Sequence, residues 1–322
     1  MHPNLQNFKH LVLFMALFMK SITAHAEISI VRENGKLIVS IGDQLFTQYI
    51  YADENRAKPV FYPIIGPNGN EMTRSFPFEK DKEGEEADHP HHTSLWYTHG
   101  MVNGVDFWAV GEKKGKIVHE EFIEMNIDSF VESNLWKDAD GKTVCQDRRR
   151  VSFHLPDTKS RAIDLEITLI ASVGDLTFGD TKEGSFGIRM APVYRLKGNS
   201  AKGSALNSDG VAGNLVWGKR ASWISYWAPF NDEEIGISIF DHPSNLRHPT
   251  WWHARDYGLV AANPFGVSNF EGKPKGTGDL VLGKGEEITF RYRVLFHLGN
   301  PKDAEISQRY LDWSKKKERV NN

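Results

Sequence analysis

Glu287-Ile288-Thr289-Phe290-Arg291-Tyr292-Arg293-Val294-Leu295-Phe296-His297-Leu298 decides the fold. Ile288, Phe290, Tyr292, Val294 and Phe296 recur at every second position with polar residues between most of them, the period of a strand with one face in a core. The same β-branched and aromatic character runs outward through Ile28 to Val31, Lys36 to Ile41, Gln44 to Tyr51, Lys116 to Ile127, Ser129 to Trp136 and Thr143 to Phe153. It continues in Ala162 to Ser172, Leu176 to Thr181, Gly187 to Tyr194, Ala221 to Ala228 and Glu234 to Phe240, with Gly, Asn and Asp turns between segments. Only Lys302 to Lys317 has a helical period, with Ile306, Tyr310, Leu311 and Trp313 as its apolar stripe. The pattern predicts an all-β protein, a large antiparallel β-sandwich with a C-terminal helix packed outside it.

The first residues read as an export signal. Lys9-His10 precede an apolar run from Leu11 to Met19, and Ala24-His25-Ala26 fits a signal-peptidase site. Residues 1–26 are therefore expected to be a signal peptide and 27–322 a single β-sandwich domain, periplasmic or secreted. No Cys follows the apolar run, so a lipoprotein is not expected. The run is far shorter than the roughly 20 residues that span a bilayer, and no longer one follows, so no membrane span is expected in the mature chain. The single cysteine, Cys145, cannot form an internal disulfide, so stability must come from the core. A net charge of -3 without blocks argues against nucleic acid as a partner.

Long stretches without strand signals, Pro63 to Gly100, Gly198 to Trp217 and Asp241 to Gly276, are expected to be loops that build a functional surface. The first carries Asp88-His89-Pro90-His91-His92-Thr93-Ser94-Leu95-Trp96-Tyr97-Thr98-His99-Gly100, with four of the thirteen histidines. Run as a strand from His89, it would set His89 and His91 on one side roughly 7 Å apart, with His92 facing away. Such a pair could hold a divalent metal ion, for which His89 and His91 are the ligand candidates, or flank a substrate hydroxyl. The acidic segment Glu79 to Asp88 reads as a solvated bulge or a lid.

The third stretch holds Trp251-Trp252-His253-Ala254-Arg255-Asp256-Tyr257-Gly258, where His253, Arg255 and Tyr257 alternate onto one face. Together they offer a proton shuttle, a bidentate donor and a phenol. Trp96, Trp251 and Trp252 offer flat surface for a sugar ring. Asn263, in Asn263-Pro264-Phe265-Gly266, can bond a ligand or its own backbone, and the backbone is the expected partner. Glu183 and Arg189 flank the glycines of Glu183-Gly184-Ser185-Phe186-Gly187-Ile188-Arg189, where Glu183 is the candidate carboxylate base or metal ligand outside the His cluster.

Pro63-Ile64-Ile65-Gly66-Pro67, Thr73-Arg74-Ser75-Phe76-Pro77, the Asp88 to His92 run and Asn103-Gly104-Val105-Asp106-Phe107-Trp108 resemble the methane oxygenase PmoA-like family. Trp217-Gly218-Lys219-Arg220-Ala221, Trp252 to Gly258, Asn263 to Gly266 and Arg291-Tyr292-Arg293 extend the likeness over nearly the whole mature chain. Thr93 departs from it, standing where the family pattern carries Arg. Methane oxidation itself is set aside, because a particulate oxygenase subunit is built of membrane-spanning helices. The resemblance implies a setting of polysaccharide degradation.

A Gly-Pro turn, then an arginine, then a His-rich segment is also similar to the galactose-mutarotase and aldose-epimerase superfamily, whose fold is a β-supersandwich. That resemblance implies a sugar held by Arg74, His91 and His92, with the acid falling at His253. The leading expectation is an exported carbohydrate-active enzyme, a hydrolase, lyase or epimerase acting on a sugar or oxidised sugar. Its catalytic groups would be His91, His92 and His253. Arg74, Trp96, Glu183, Arg189, Trp252, Arg255, Tyr257 and Asn263 would bind substrate. The alternatives are a metal-dependent enzyme using the His cluster and a non-catalytic glycan-binding protein.

Overall fold

A computed structural model describes residues 27–315. The expected signal peptide and the Lys316-Lys317 tail lie outside the described residues. The strands are β1 (Ile28–Glu33), β2 (Lys36–Ile41), β3 (Gln44–Ile50), β4 (Val60–Ile64), β5 (Leu95–His99) and β6 (Lys116–Met125). There follow β7 (Ser129–Lys137), β8 (Thr143–Asp157), β9 (Ser160–Ile170), β10 (Leu176–Phe178), β11 (Gly184–Arg189) and β12 (Ser204–Asn207). The last are β13 (Trp223–Phe230), β14 (Glu233–Asp241), β15 (Trp251–Ala254), β16 (Leu259–Asn263), β17 (Leu280–Leu282) and β18 (Glu287–Leu298). Two short helices, α1 (Val267–Glu271) and α2 (Ile306–Ser314), complete the described elements.

Two eight-stranded antiparallel sheets form the body. The first runs β1-β2-β3-β4-β5-β11-β16-β15 and the second β12-β13-β14-β18-β9-β8-β7-β6, beside a two-stranded β10-β17 pair. The alternation in β18 does what its period requires: Phe290, Tyr292, Val294 and Phe296 enter the core shared by the sheets. There Phe186 of the first sheet stacks on Tyr292 of the second at 4.8 Å. On the other face of β18, Leu295 joins Phe240, Ile306, Tyr310 and Trp313, so α2 packs against the outside of the second sheet. Within the stripe expected of that helix, Leu311 alone is exposed. The all-β antiparallel sandwich with its outer helix is thus the observed fold.

The expected loops are corrected in their most important parts. Pro63 to Gly100 contains β5, and Asp241 to Gly276 contains β15 and β16. All three strands are buried at every position. Covered on both faces, they have no reason to alternate, so their period is invisible in the sequence.

Candidate functional site

The strands that escape sequence reading carry the candidate site on the face of the first sheet turned away from the core. Register places Trp96 opposite Gly187, Gly187 opposite Ala261, and Ala261 opposite His253, in one row across four strands. Directly paired residues share a face, so Trp96 and His253 stand on the same side about 14 Å apart at the backbone. The two residues between them are small. A Cβ on Gly187 would come within 2.8 Å of the Trp96 ring, so the indole lies across that strand and only glycine admits it.

The His-rich run is a turn, not the start of a strand. The His92 amide donates to the His89 carbonyl at 2.9 Å, and His89 takes a positive φ of 43°. This corrects the alternation expected from His89: His89 and His92 are stacked at 4.8 Å, and His91 meets His92 edge-on at 4.3 Å. Two buried arginines hold the turn. Arg74 donates to the carbonyls of Glu86, His89 and His92 and to Asp88. Arg189 donates to Asp88 Oδ1 at 2.8 Å and to His92 Nδ1 at 3.2 Å. Both side chains are 0% exposed, and Arg74 and Arg189 spend their donors on the loop.

The acidic segment is mostly exposed, as expected of a solvated bulge, but three of its carboxylates tie it down. Glu85 accepts the amides of Ser75 and Phe76 at 2.9 Å, Glu86 pairs with Arg195 at 3.1 Å, and Asp88 joins both arginines.

Several other candidates are also out of reach. His92 is buried, stacked on Trp96 at 5.7 Å, and its pKa is driven far down by burial, with His91 and Arg189 adding to the effect. It is a neutral acceptor for Arg189, which withdraws it from the expected catalytic set. Trp96 is covered by Trp108 at 5.5 Å. Trp252 points into the sandwich core, where its Nε1 donates to the Ala221 carbonyl at 2.9 Å. Trp251 is buried against Arg220, whose guanidinium stands 4.6 Å from its ring. All three tryptophans expected to offer a flat surface are thus buried. Asn263 takes its backbone role, accepting the Phe265 and Gly266 amides and donating to the Thr181 carbonyl.

What remains is His91 and Arg255, both half-buried, and His253, which is 3% exposed. His91 is half-buried, and neither of its ring nitrogens has a hydrogen-bond partner among the described residues. Burial, with Lys58 and His89 nearby, pushes it down to about 4. His253 is also pushed to about 4, by burial first and by Lys182 and Arg255, and its buried Nδ1 has no partner. Arg255 is half-buried, has no carboxylate partner among the described residues, and lies 5.6 Å from the Tyr257 ring. The Tyr257 ring stacks on exposed His89 at 5.2 Å, giving an aromatic surface where the tryptophans give none. Burial raises the Tyr257 phenol although Arg255 and Arg189 oppose it. The Glu183 carboxylate, paired with Lys182, is near enough to His91, His253 and Tyr257 to favour the protonated form of all three. One carboxylate thus acts on both arms of the face.

No group of three or more His, Cys, Asp or Glu with metal-binding geometry occurs among the described residues. Of the metal candidates His89 and His91, the first already gives its Nδ1 to Asp88 Oδ2 at 2.8 Å. Sequence reasoning missed Lys58, whose Nζ donates to the His91 carbonyl at 3.0 Å beneath the turn. Nothing in the sequence marks a lysine for burial. No helix among the described residues is long and apolar enough to cross a membrane.

The chain is similar to a galactose mutarotase related enzyme from Lactobacillus acidophilus at 12% identity, covering 84% of this chain and 97% of that one with a TM-score of 0.35. It is similar to an aldose epimerase homologue from C. elegans at 10% identity, with 85% and 99% covered and a TM-score of 0.31. A heparan sulfate lyase mutant from Pedobacter heparinus matches at 9% identity and a TM-score of 0.32, covering 86% of this chain but 36% of the lyase. Likenesses of this strength carry no argument about chemistry. No curated protein matches the sequence. The methane oxygenase PmoA-like label is not what the family comparison returns. Residues 36–311 match the model described as a family of unknown function, DUF6807, and the chain belongs to that family.

Proposed function

We propose that the outer face of the first sheet binds an oxidised or acidic sugar and moves a proton at a carbon beside its carbonyl, as an epimerase or a β-eliminating lyase does. One observation carries this reading: His91 and His253, both neutral at neutral pH, share a face with an uncommitted guanidinium, Arg255, and with the Glu183 carboxylate. A neutral imidazole accepts a proton at one nitrogen and can give one from the other. A guanidinium placed beside it can anchor a carboxylate or stabilise an enolate oxygen. Tyr257 supplies a phenol and a ring face at the same place.

Hydrolysis by paired carboxylates is the weaker alternative. It calls for two free acids flanking the bond, whereas Asp88 is committed to Arg74, Arg189 and His89, and Asp106, which also acts on His91, is paired with Lys114. The test is proton exchange: incubation with uronates and keto sugars in D2O, followed by NMR for replacement of C–H by C–D. Exchange that disappears in His253→Gln supports the reading. Absence of exchange across both sugar classes sinks it.

A further inference from the structure

Pro90 and Thr93, from the same turn as His91, line a separate cleft of about 430 Å³ together with Asp53, Arg56, Lys58 and Lys80. Asp53 is the one carboxylate among its lining residues, and its oxygens are taken by Asn55 at 2.9 Å and Arg56 at 3.2 Å. Lys58 is 4% exposed and has no ion pair among the described residues. Its one hydrogen bond is to the His91 carbonyl, and the Trp96 ring lies 5.4 Å from Nζ. Two of its three N–H donors are thus unused. Thr93 is 5% exposed, and its Oγ1 is buried without a partner. Exposed Lys80 adds a further cation with no ion pair among the described residues.

A buried ammonium beside a buried hydroxyl, both with unfilled donor capacity, is costly unless an acceptor completes them. The cleft supplies two amines without an ion pair among the described residues, Lys58 and Lys80, and no free carboxylate. We propose that it binds an oxyanion of the carboxylate or sulfate class, held by Lys58 and Thr93 and attracted by Lys80. Burial brings the Lys58 amine down to about 7, with Arg56 lowering it further and Asp106 opposing. Among its charged neighbours, Asp53 is compensated by Arg56, and His91 is neutral near pH 7. A bound anion favours the ammonium, so binding should strengthen as pH falls through about 7. This site is independent of the reading of the His91 and His253 face, because its test measures binding and not turnover.

The experiment is calorimetric titration of the whole protein with sodium sulfate, sodium glucuronate and neutral glucose, at ionic strength held constant with chloride. Saturable binding of either anion and none of glucose is expected, and the anion that binds identifies the source. Lys58→Met should weaken it about tenfold or more, and Thr93→Val several-fold. Binding should be weaker about one pH unit above 7 than one unit below. No saturable binding by either anion, or unchanged affinity in Lys58→Met, overturns the proposal. Should Lys58→Met fail to fold, the near-isosteric Thr93→Val decides in its place, and unchanged affinity there is equally fatal.

Discussion

Asp88 and Arg189, 101 positions apart in sequence, meet at 2.8 Å through the same Asp88 oxygen that takes Arg74. One carboxylate therefore bridges two buried guanidiniums and fixes the turn that presents His91. Burial alone would raise the Asp88 carboxyl, but Arg189, His89 and Arg74 outweigh it and hold it below its ordinary value.

Asp88→Asn leaves both arginines without their charge partner. With the carboxylate partly open to water, the loss of stability should be about 2–4 kcal/mol, read from the denaturant midpoint at constant m-value. A midpoint equal to that of the parent would show that the clamp does not hold the turn.

Acid–base catalysis by His91 and His253 fixes the shape of the pH profile. Both imidazoles are held at about 4, so the acid limb of kcat/KM should fall near pH 4 and not near the ordinary histidine value. His253→Gln should lower kcat at least a hundredfold without altering the melting temperature by more than a few degrees. An acid limb near 6.5 in the parent would move the proton transfer to another group.

Arg255 and Trp252, three positions apart, should separate binding from stability. Arg255→Gln removes a half-exposed cation without a carboxylate partner, so stability should change by no more than about 0.5 kcal/mol while KM for an acidic sugar rises about tenfold or more. Trp252→Ala empties a fully buried core position and should cost about 3–5 kcal/mol. The reverse pattern, with a stability loss at Arg255 and none at Trp252, would contradict both assignments.

Two further buried histidines add to the response to acid. Burial keeps His99 and His297 down at about 4, His99 with Nε2 on the Gly179 carbonyl at 2.7 Å and His297 with Nε2 against Ser238 Oγ at 2.9 Å. The folded value lies below the unfolded 6.5, so the unfolded chain binds more protons between the two. Their stabilisation is fully present above about 6.5 and is lost as pH falls to about 4, on the order of 3 kcal/mol each. Urea denaturation across that window should show the slope, reduced in His297→Gln. A flat profile would mean that these imidazoles already carry protons in the native state.

The sequence alone determined the sandwich, because strands with one wet face write their period into the chain. Glu287 to Leu298 and Lys36 to Ile41 are observed with the bounds their alternation implies, and α2 was legible from its apolar stripe. It also marked the two chemical neighbourhoods, since imidazoles and guanidiniums concentrate there. Tertiary structure alone decided that β5 and β16 are inner strands of one sheet and β15 its last strand, because burial on both faces erases alternation. It alone sorted the site residues as well: Arg74, Arg189 and His92 are consumed in holding the turn, while His91 and Arg255 stay half-buried and His253 is buried with its Nδ1 unpaired. Whether a polar side chain is free depends on which distant groups satisfy it, and that pairing is set by packing across more than a hundred residues, where no local pattern records it.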